Sequence, residues 1–274
     1  MSATVQLPGG LWVDGQLHRT AHIGDLTGRV ERAFAGCRSP ASTMPNAVSA
    51  VLAAAVKRIG TVPVSTDIAA CLAVGDRIFL MLQLAMRYLG DLVWLSPICE
   101  RCAQPFDVPV KRSQLSVRKP ADDYPTTTLR LNGHEIRLRP PCGEDQRLIA
   151  EIRREDAGST LLACCIQSVD GAEPGPEYVA TLDASALRKI EAALQRAGPD
   201  VDCGVRAKCA ECEQVQRIEL EPYWLGDPAG STLEVEVHRL ASHYHWSESD
   251  ILALPSKLRR RYCALIDRER GGRG

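Results

Sequence analysis

The sequence predicts an α+β protein, mostly helical, with short β-hairpins and a split zinc ribbon. Three observations predict this class. The hairpin-type turn dipeptides Asp14-Gly15 and Asn132-Gly133 each stand between apolar, strand-like segments. Segments with helical spacing of apolar residues fill most of the remaining chain. Two Cys-x-x-Cys pairs, at 99–102 and 209–212, each lie between strand-like segments, as in the two knuckles of a zinc ribbon.

The first half of the chain begins with a hairpin over residues 10–23. Helices are predicted at 25–34, at 48–59 with Gly60 in the stop position, and from a cap at Ser65 or Thr66 to about residue 89. Strands flank the first cysteine pair at 93–95 and 106–110. Residues 111–125 are charged and contain proline, so they predict a linker.

The second half begins with a hairpin over residues 129–138. Helices follow at 144–154, 159–168 and 185–195, and strands flank the second cysteine pair at 205–208 and 214–220. Residues 233–244 carry one apolar helical stripe, Ser247 is a helix cap, and Pro255 starts a final helix. Beyond the two knuckles, no internal repeat is apparent.

These elements suggest four parts. Residues 1-92 form an N-terminal hairpin with core helices, and 226-274 form a C-terminal helical segment. The split zinc ribbon takes 93-112 and 203-225, and an inserted α/β subdomain takes 113-202. The two ends of an inserted domain must lie close together, and a shared zinc ion would bring them together.

Composition limits the class of protein. The formal net charge of -1 gives no global field that would attract nucleic acid. The first residues lack the basic and apolar regions of a secretory signal. The apolar stretch at 68–90 contains two arginines, an aspartate and a glutamine, so a buried helix is expected rather than a membrane span. The odd count of 11 cysteines favours a reducing cytoplasm, with four thiolates on metal and the rest free.

The candidate metal ligands are Cys99, Cys102, Cys209 and Cys212, and zinc is the expected ion. A closed four-sulfur site has no open position for water, so its role would be structural. Incidental pairs or a redox dithiol are the alternatives, but a thioredoxin-like dithiol stands at the start of a helix, whereas strands flank both pairs here. Cys203 is an alternative ligand.

The remaining cysteines are given ordinary roles. Cys71, Cys164, Cys165 and Cys263 lie on apolar helical faces and are predicted to be small core residues. Cys37 and Cys142 are predicted to be loop thiols without an evident role.

Three histidines, His238, His243 and His245, lie close together near the C-terminus, but a second metal site would need more ligands. A basic run at 257–261 could contact nucleic acid, although such a run is usually a solvated helix face. No nucleophile elbow, phosphate loop or His-Glu-x-x-His pattern occurs, so no catalytic residue is assigned.

Several motifs together resemble the T-even phage baseplate hub assembly chaperone family, which also occurs with phage-derived contractile injection systems. The two cysteine pairs and the following segments carry this resemblance: LPGGL at 7–11, DGQLHR at 14–19, LTGRVE at 26–31, HRLASHYHWSE at 238–248, ILALP at 251–255 and RRRY at 259–262. Two positions depart from the family pattern. Gly28-Arg-Val-Glu31 stands where a charged pair before Glu is expected, and Glu213 replaces the usual glycine after the second pair.

The resemblance implies a non-enzymatic assembly chaperone or minor structural component of a tail-like particle, with baseplate, hub or spike proteins as partners. It would hold a hub or baseplate protein until that protein docks. The alternatives are a zinc-ribbon nucleic-acid-binding protein and an enzyme that uses cysteine. We also expect residues 233–266 to pack as a helical unit in which Tyr244, Trp246 or Tyr262 is exposed to a partner, because aromatic side chains often anchor interfaces. The same rings could instead hold the helices together.

Overall fold

The computed structural model describes residues 3–37, 42–175, 177–221, 223 and 232–271. Helical residues (45%) outnumber strand residues (28%), and this mixed content confirms the α+β class. Among the described residues, none of the helices combines the length and the apolar composition that a membrane span needs.

The first unit of the fold is a four-stranded antiparallel sheet covered by helices, followed by a separate hairpin. The sheet has the strand order β1-β2-β3-β4. Buried residues of its strands and of α1, α2 and α4 form the largest core, which includes Leu11, Leu52 and Leu80. The elements are β1 (Ala3–Val13), β2 (Gln16–Ile23), α1 (Gly28–Gly36), α2 (Met44–Ala55), β3 (Val56–Ile59), β4 (Val62–Pro63), α3 (Thr66–Cys71), α4 (Val74–Leu89), β5 (Leu92–Leu95) and β6 (Val108–Lys111).

The second unit has a three-stranded sheet with its own core. Ile136, Leu138 and Ile190 are fully buried there, between the sheet and the helices α6 and α7. A 3₁₀ turn at Tyr178–Thr181 precedes α7. The elements are β7 (Ser116–Arg118), β8 (Thr127–Leu131), β9 (His134–Leu138), α5 (Gly143–Ile149), α6 (Ala157–Cys165), β10 (Ile166–Val169), α7 (Ala184–Ala197), β11 (Asp200–Asp202), β12 (Gly204–Lys208) and β13 (Val215–Glu219).

The two units repeat one architecture. Each runs through a hairpin, two helices, a third strand, a short helical turn, a long helix and a Cys-x-x-Cys hairpin. The third strand pairs with the second in both sheets, in the orders β1-β2-β3 and β8-β9-β10. From the end of α2 onwards, one step of 110 positions relates equivalent residues, including Leu72 to Leu182 and Cys99 to Cys209.

The C-terminal helices α8 (Leu233–Tyr244), α9 (Glu248–Ala253) and α10 (Ser256–Gly271) resemble part of the same unit. Ser247 caps α9 through the Asp250 N–H at 3.2 Å, as Ser65 caps α3 through the Ile68 N–H at 3.1 Å. A short helix, a bend and a long helix follow each cap, so α9–α10 matches α3–α4.

A buried carboxylate joins the first strand to the long helix of the first unit. Asp76 on α4 accepts hydrogen bonds from the Gly9 N–H at 2.9 Å and the Gly10 N–H at 2.8 Å, where β1 bulges. Burial raises the pKa of Asp76 to about 6, although the two N–H groups act in the opposite direction. Asp76 therefore carries an energetic cost when it is ionised inside the fold.

The structure corrects several sequence predictions. Residues 56–59 and 166–169 are strands rather than helix ends, because each pairs with the second strand of its hairpin. The predicted linker contains β7, which pairs with β11. The helix predicted up to residue 89 breaks between α3 and α4 at Leu72 and Ala73. In each case tertiary pairing outweighs local propensity.

The expectation of no repeat beyond the knuckles was wrong, because the repeat is one of backbone architecture with few shared residues. The four predicted parts stay a prediction, and the repeat adds an alternative in which residues 113-202 belong to a second copy of the unit. The predicted loop at 37–46 lies partly outside the described residues, and α2 already begins at Met44.

Candidate metal centre

Each cysteine pair lies in a tight loop at the end of a two-stranded hairpin. In the first loop, the Cys99 N–H donates to the Gln104 carbonyl at 2.9 Å, and the Ala103 N–H donates to the Cys99 carbonyl at 2.9 Å. The second loop repeats both bonds, at 2.9 Å from the Cys209 N–H and at 3.1 Å from the Glu213 N–H. The two loops therefore present their sulfurs in the same way.

The loops close without glycine. Ala103 and Glu213 adopt left-handed backbone angles, with φ of 57° and 61°, a region that glycine occupies at the lowest cost. The Glu213 carboxylate lies 3.0 Å from the Lys208 Nζ across the loop. The replacement of glycine by Glu213 therefore leaves the turn as tight as its counterpart in the first unit.

The four predicted ligands lie together. The Sγ atoms of Cys99 and Cys212 are 3.5 Å apart, and those of Cys102 and Cys209 are 3.7 Å apart. All four sulfur atoms lie within 4.8 Å of one another. A tetrahedral site with Zn–S distances of about 2.3 Å has sulfur–sulfur separations of about 3.8 Å. The four-cysteine cluster thus has the size of a tetrahedral zinc site, and its spacings exceed the roughly 2.05 Å of a disulfide.

The surroundings of the cluster are apolar on one side. Cys99 and Cys209 are each only 1% exposed, whereas Cys102 and Cys212 are half-buried. Phe106 and Ile218 form the small core beneath the sulfurs. A metal ion placed among the sulfurs would therefore be shielded from water by the hairpins.

The surroundings shift the pKa values of the two thiols of the first pair in opposite directions. The Cys102 N–H is the main group that lowers the pKa of the Cys99 thiol, to about 6. For Cys102, the Gln104 N–H lowers the pKa, but burial and the three neighbouring sulfurs outweigh it and raise the pKa to about 12. Because metal binding requires deprotonated cysteine, a bound cation would stabilise the thiolate form of all four ligands.

One side chain joins the two loops and was not predicted. Gln216 on β13 donates from its side-chain amide to the Ile98 carbonyl at 3.2 Å, and its side-chain oxygen accepts from the Glu100 N–H at 3.0 Å. The equivalent position in the first knuckle is Phe106, so the repeat has no second glutamine from which the role of Gln216 could be predicted. It aligns the two loops independently of any metal.

The other cysteines lie outside this cluster. Cys203, the alternative ligand, packs beside Leu82 and Val201, and burial raises the pKa of its thiol to about 11. Cys165 and Cys263 are buried and Cys164 is half-buried, as expected of core residues. Cys71 is exposed, so its assignment to the core was wrong. Cys142 immediately precedes α5, and its backbone forms an antiparallel β-bridge with Ala73.

The C-terminal residues mostly serve the fold. Tyr244 stacks on Trp246 at 4.9 Å between ring centroids, and Tyr262 packs edge-on against both. These rings are half-buried in the core of α8–α10, which corrects the expectation that they are exposed to a partner. In the basic run, Arg259 is buried against Glu31 and Glu236. This contact removes the central cation of the run from any nucleic-acid surface.

The histidines show no second metal site among the described residues, where the four-cysteine cluster is the candidate metal-binding group. His243 Nε2 lies 3.2 Å from a Glu269 carboxylate oxygen, and its ring packs edge-on against Tyr244. His245 ends α8 in a left-handed conformation.

A comparison with protein-family models matches residues 20–223 to the family described as T4 bacteriophage base plate protein. The chain belongs to this family. The match begins within β2 of the first unit and continues through the second unit. It includes both halves of the four-cysteine cluster, so the matched region contains the whole candidate site. Comparisons with curated proteins and with solved structures found no match. Family membership gives this baseplate protein a structural or assembly role in a phage baseplate, together with other baseplate components.

Proposed function

We propose that the protein is a non-enzymatic assembly chaperone, or a minor structural component, of the baseplate or hub of a phage tail-like contractile injection system. The observation that carries this proposal is the family match over residues 20–223. The partner would be a baseplate, hub or spike protein, which this chain would hold until it docks. Zinc bound by Cys99, Cys102, Cys209 and Cys212 would make the region between the two units rigid.

A surface on the first knuckle is suited to such a partner. Leu92, Trp94 and Ile98 form what we name the knuckle patch, and they are 49%, 61% and 67% exposed. Leu92 and Trp94 lie on the same face of β5, because successive side chains of a strand alternate. Ile98 follows β5 in the same hairpin. Large exposed apolar residues on one face mark interaction sites, which favours Leu92 and Trp94 as the centre of the knuckle patch.

The repeat supplies a comparison for this patch. The equivalent positions on the second knuckle are Asp202, Gly204 and Lys208. Both hairpins have the same backbone pairing and the same cysteine loop. The knuckle fold therefore does not require apolar side chains at these positions, which supports a binding role for Trp94 and Ile98.

A non-enzymatic role is supported by how the unusual titratable groups are used. Asp76 accepts hydrogen bonds from the bulge of β1. Asp145 forms a bidentate ion pair with Arg139, with nitrogen–oxygen distances of 2.6 and 2.8 Å. A four-sulfur zinc site would leave no coordination position for water or substrate. The hydrogen-bond partners of Asp76 and Asp145 belong to the fold itself, which supports a structural role for both carboxylates.

Co-expression with the hub and spike proteins of the same gene cluster tests the proposal. The double variant Trp94→Ala/Ile98→Lys should keep its melting temperature and metal content but lose co-purification of one of these proteins. Val235→Ala, which changes an exposed apolar residue on α8, is the matched control and should retain it.

The soluble yield of the captured partner, measured with and without this chain, separates a chaperone from a structural component. A chaperone raises the soluble yield of its partner and is missing from the purified particle, whereas a structural component is found in the particle. Undiminished capture by the double variant would remove the knuckle patch from the proposal, and no capture of any baseplate, hub or spike protein by the wild type would contradict the proposal itself.

A further inference from the structure

Two segments of the chain dock on helix junctions in the same way. In the first case, residues 26–28, which lead into α1, lie against the junction between α9 and α10. The Gly28 N–H donates to the Leu254 carbonyl at 3.4 Å, and the Ser256 N–H donates to the Leu26 carbonyl at 2.8 Å. Together these bonds form a short antiparallel bridge between Thr27 and Pro255.

In the second case, residues 141–143, which lead into α5, lie against the junction between α3 and α4. The Gly143 N–H donates to the Leu72 carbonyl at 3.1 Å, and the Val74 N–H donates to the Pro141 carbonyl at 2.9 Å. Each pair of bonds joins the same positions of the repeated unit. The C-terminal helices thus hold the first unit, and the first unit holds the second unit.

Both docked segments require glycine as the first residue of their helix. A Cβ atom on Gly28 would lie 2.8 Å from Leu252 Cδ2, and one on Gly143 would lie 2.4 Å from Arg77 Nη1. The arginine on the fourth residue of the receiving helix is buried in both cases, as Arg77 and Arg259. The residue three positions after the glycine is polar in both cases, as Glu31 and Gln146.

A third junction of this kind lies in the second unit, at residues 182–184, between the 3₁₀ turn and α7. Within the described ranges, the Leu182 carbonyl and the Ala184 N–H have no hydrogen-bond partner. Asp183 and Ala184 are exposed. Ala73, which is equivalent to Asp183, is only 5% exposed beneath its docked segment. Leu187, half-buried, stands where the occupied junctions have arginine.

We propose that the junction at 182–184 is a docking site for the start of a helix in a different protein. The docked segment would have two extended residues, then glycine as the first helical residue. An apolar residue would follow three positions later, because it would face Leu187 instead of an arginine. Among the described residues, the two segments of this type are already docked within the chain, so the occupant is a different protein rather than another copy. The inference does not depend on the proposed assembly role.

The test uses the full-length protein and a fluorescein-labelled synthetic peptide that copies residues 24–36 with Glu31→Leu. Fluorescence anisotropy should show saturable binding to the wild type. Ala184→Pro removes the N–H that the docked segment needs, but proline is favoured as the first residue of a helix, so α7 should remain intact. Binding to this variant should be at least about tenfold weaker, and so should binding of a peptide with Gly28→Ala.

Two matched variants complete the test. Lys189→Ala, on an exposed position of α7, should bind the peptide as the wild type does. Val74→Pro makes the equivalent change at an occupied junction and should lower the melting temperature, which Ala184→Pro should not.

Three results would overturn the proposal: no binding up to about 1 mM peptide, equal binding of the Gly28→Ala peptide, or undiminished binding to Ala184→Pro. Self-association of the protein that disappears in Ala184→Pro would identify a second copy as the occupant and would also overturn it.

Discussion

The guanidinium of Arg259 on α10 pairs with the carboxylate of Glu31 on α1, although 228 positions separate them. The two side chains are 1% and 0% exposed. Arg259 Nε also lies 3.0 Å from a carboxylate oxygen of Glu236 on α8, and Ser256 donates a hydrogen bond to Glu31. One buried cation therefore joins the first and the last helices of the fold.

Replacing this cation should strongly destabilise the protein. In Arg259→Met, the buried Glu31 loses its counterion, and Glu236 keeps only the exposed Arg260, whose Nε lies 3.6 Å from its carboxylate. The free energy of unfolding in urea should therefore fall by about 3–5 kcal/mol. Arg147→Ala, which breaks the exposed pair with Glu144, is the control and should change little. A loss in Arg259→Met no larger than in the control would contradict the prediction.

Purification without added metal should yield about one zinc ion per chain by elemental analysis. Cys102→Ser should lower both the zinc content and the thermal stability, because metal binding contributes to folding. Cys203→Ser should keep the zinc, since Cys203 lies outside the cluster. A reduced protein with intact thiols and no zinc would refute the metal site.

Two glycines near the starts of their helices should respond oppositely to substitution by alanine. A Cβ on Gly75 would lie 1.9 Å from the Pro199 carbonyl oxygen, so Gly75→Ala should separate α4 from the second unit and lower the melting temperature. A Cβ on Gly158 would meet nothing within 4 Å, so Gly158→Ala should stabilise α6 by about 0.4–1 kcal/mol. Equal melting temperatures for the two variants would show that the packing at Pro199 is looser than described.

Stability should depend on pH through Asp76. The folded protein holds the Asp76 proton up to a pKa of about 6, well above the ordinary value of 3.8, so the folded state binds more protons than the unfolded state between these pH values. The contribution of Asp76 to stability therefore falls as pH rises from about 4 to about 6, and is constant above that window. Asp76→Asn cannot ionise.

The measurement is the free energy of unfolding of wild type minus that of Asp76→Asn, followed from pH 4 to pH 8. This difference should decrease with pH and then level off. A difference that is flat between pH 4 and 6 would mean that the two N–H donors of Gly9 and Gly10 outweigh the burial.

Local features were predictable from sequence. Both hairpin turns were identified from Asp14-Gly15 and Asn132-Gly133, because each dipeptide favours the backbone angles of a tight turn. A helix cap at Ser65 or Thr66 was predicted from their side-chain oxygens, and Ser65 is the residue that caps α3. The four cysteines could be grouped because two Cys-x-x-Cys pairs provide one tetrahedral ligand set.

Contacts between distant segments were not predictable. Neither Asp76 nor Arg259 stands out in its helix, because the groups that each one binds lie in other elements. The repeat could not be predicted because equivalent positions, such as Arg77 and Leu187, have different residue types although the order of helices and strands is the same. Strands β3 and β10 were assigned to helices because only their pairing with a hairpin distinguishes them.

The separation of the two cysteine pairs also sets an order of events during synthesis. The first pair leaves the ribosome 110 residues before the second. At about 5–20 residues per second, this interval lasts roughly 5–20 s, and Cys99 and Cys102 spend it as an open dithiol. The first unit must therefore fold on its own contacts, and a complete set of four sulfurs appears only after the second unit has been translated.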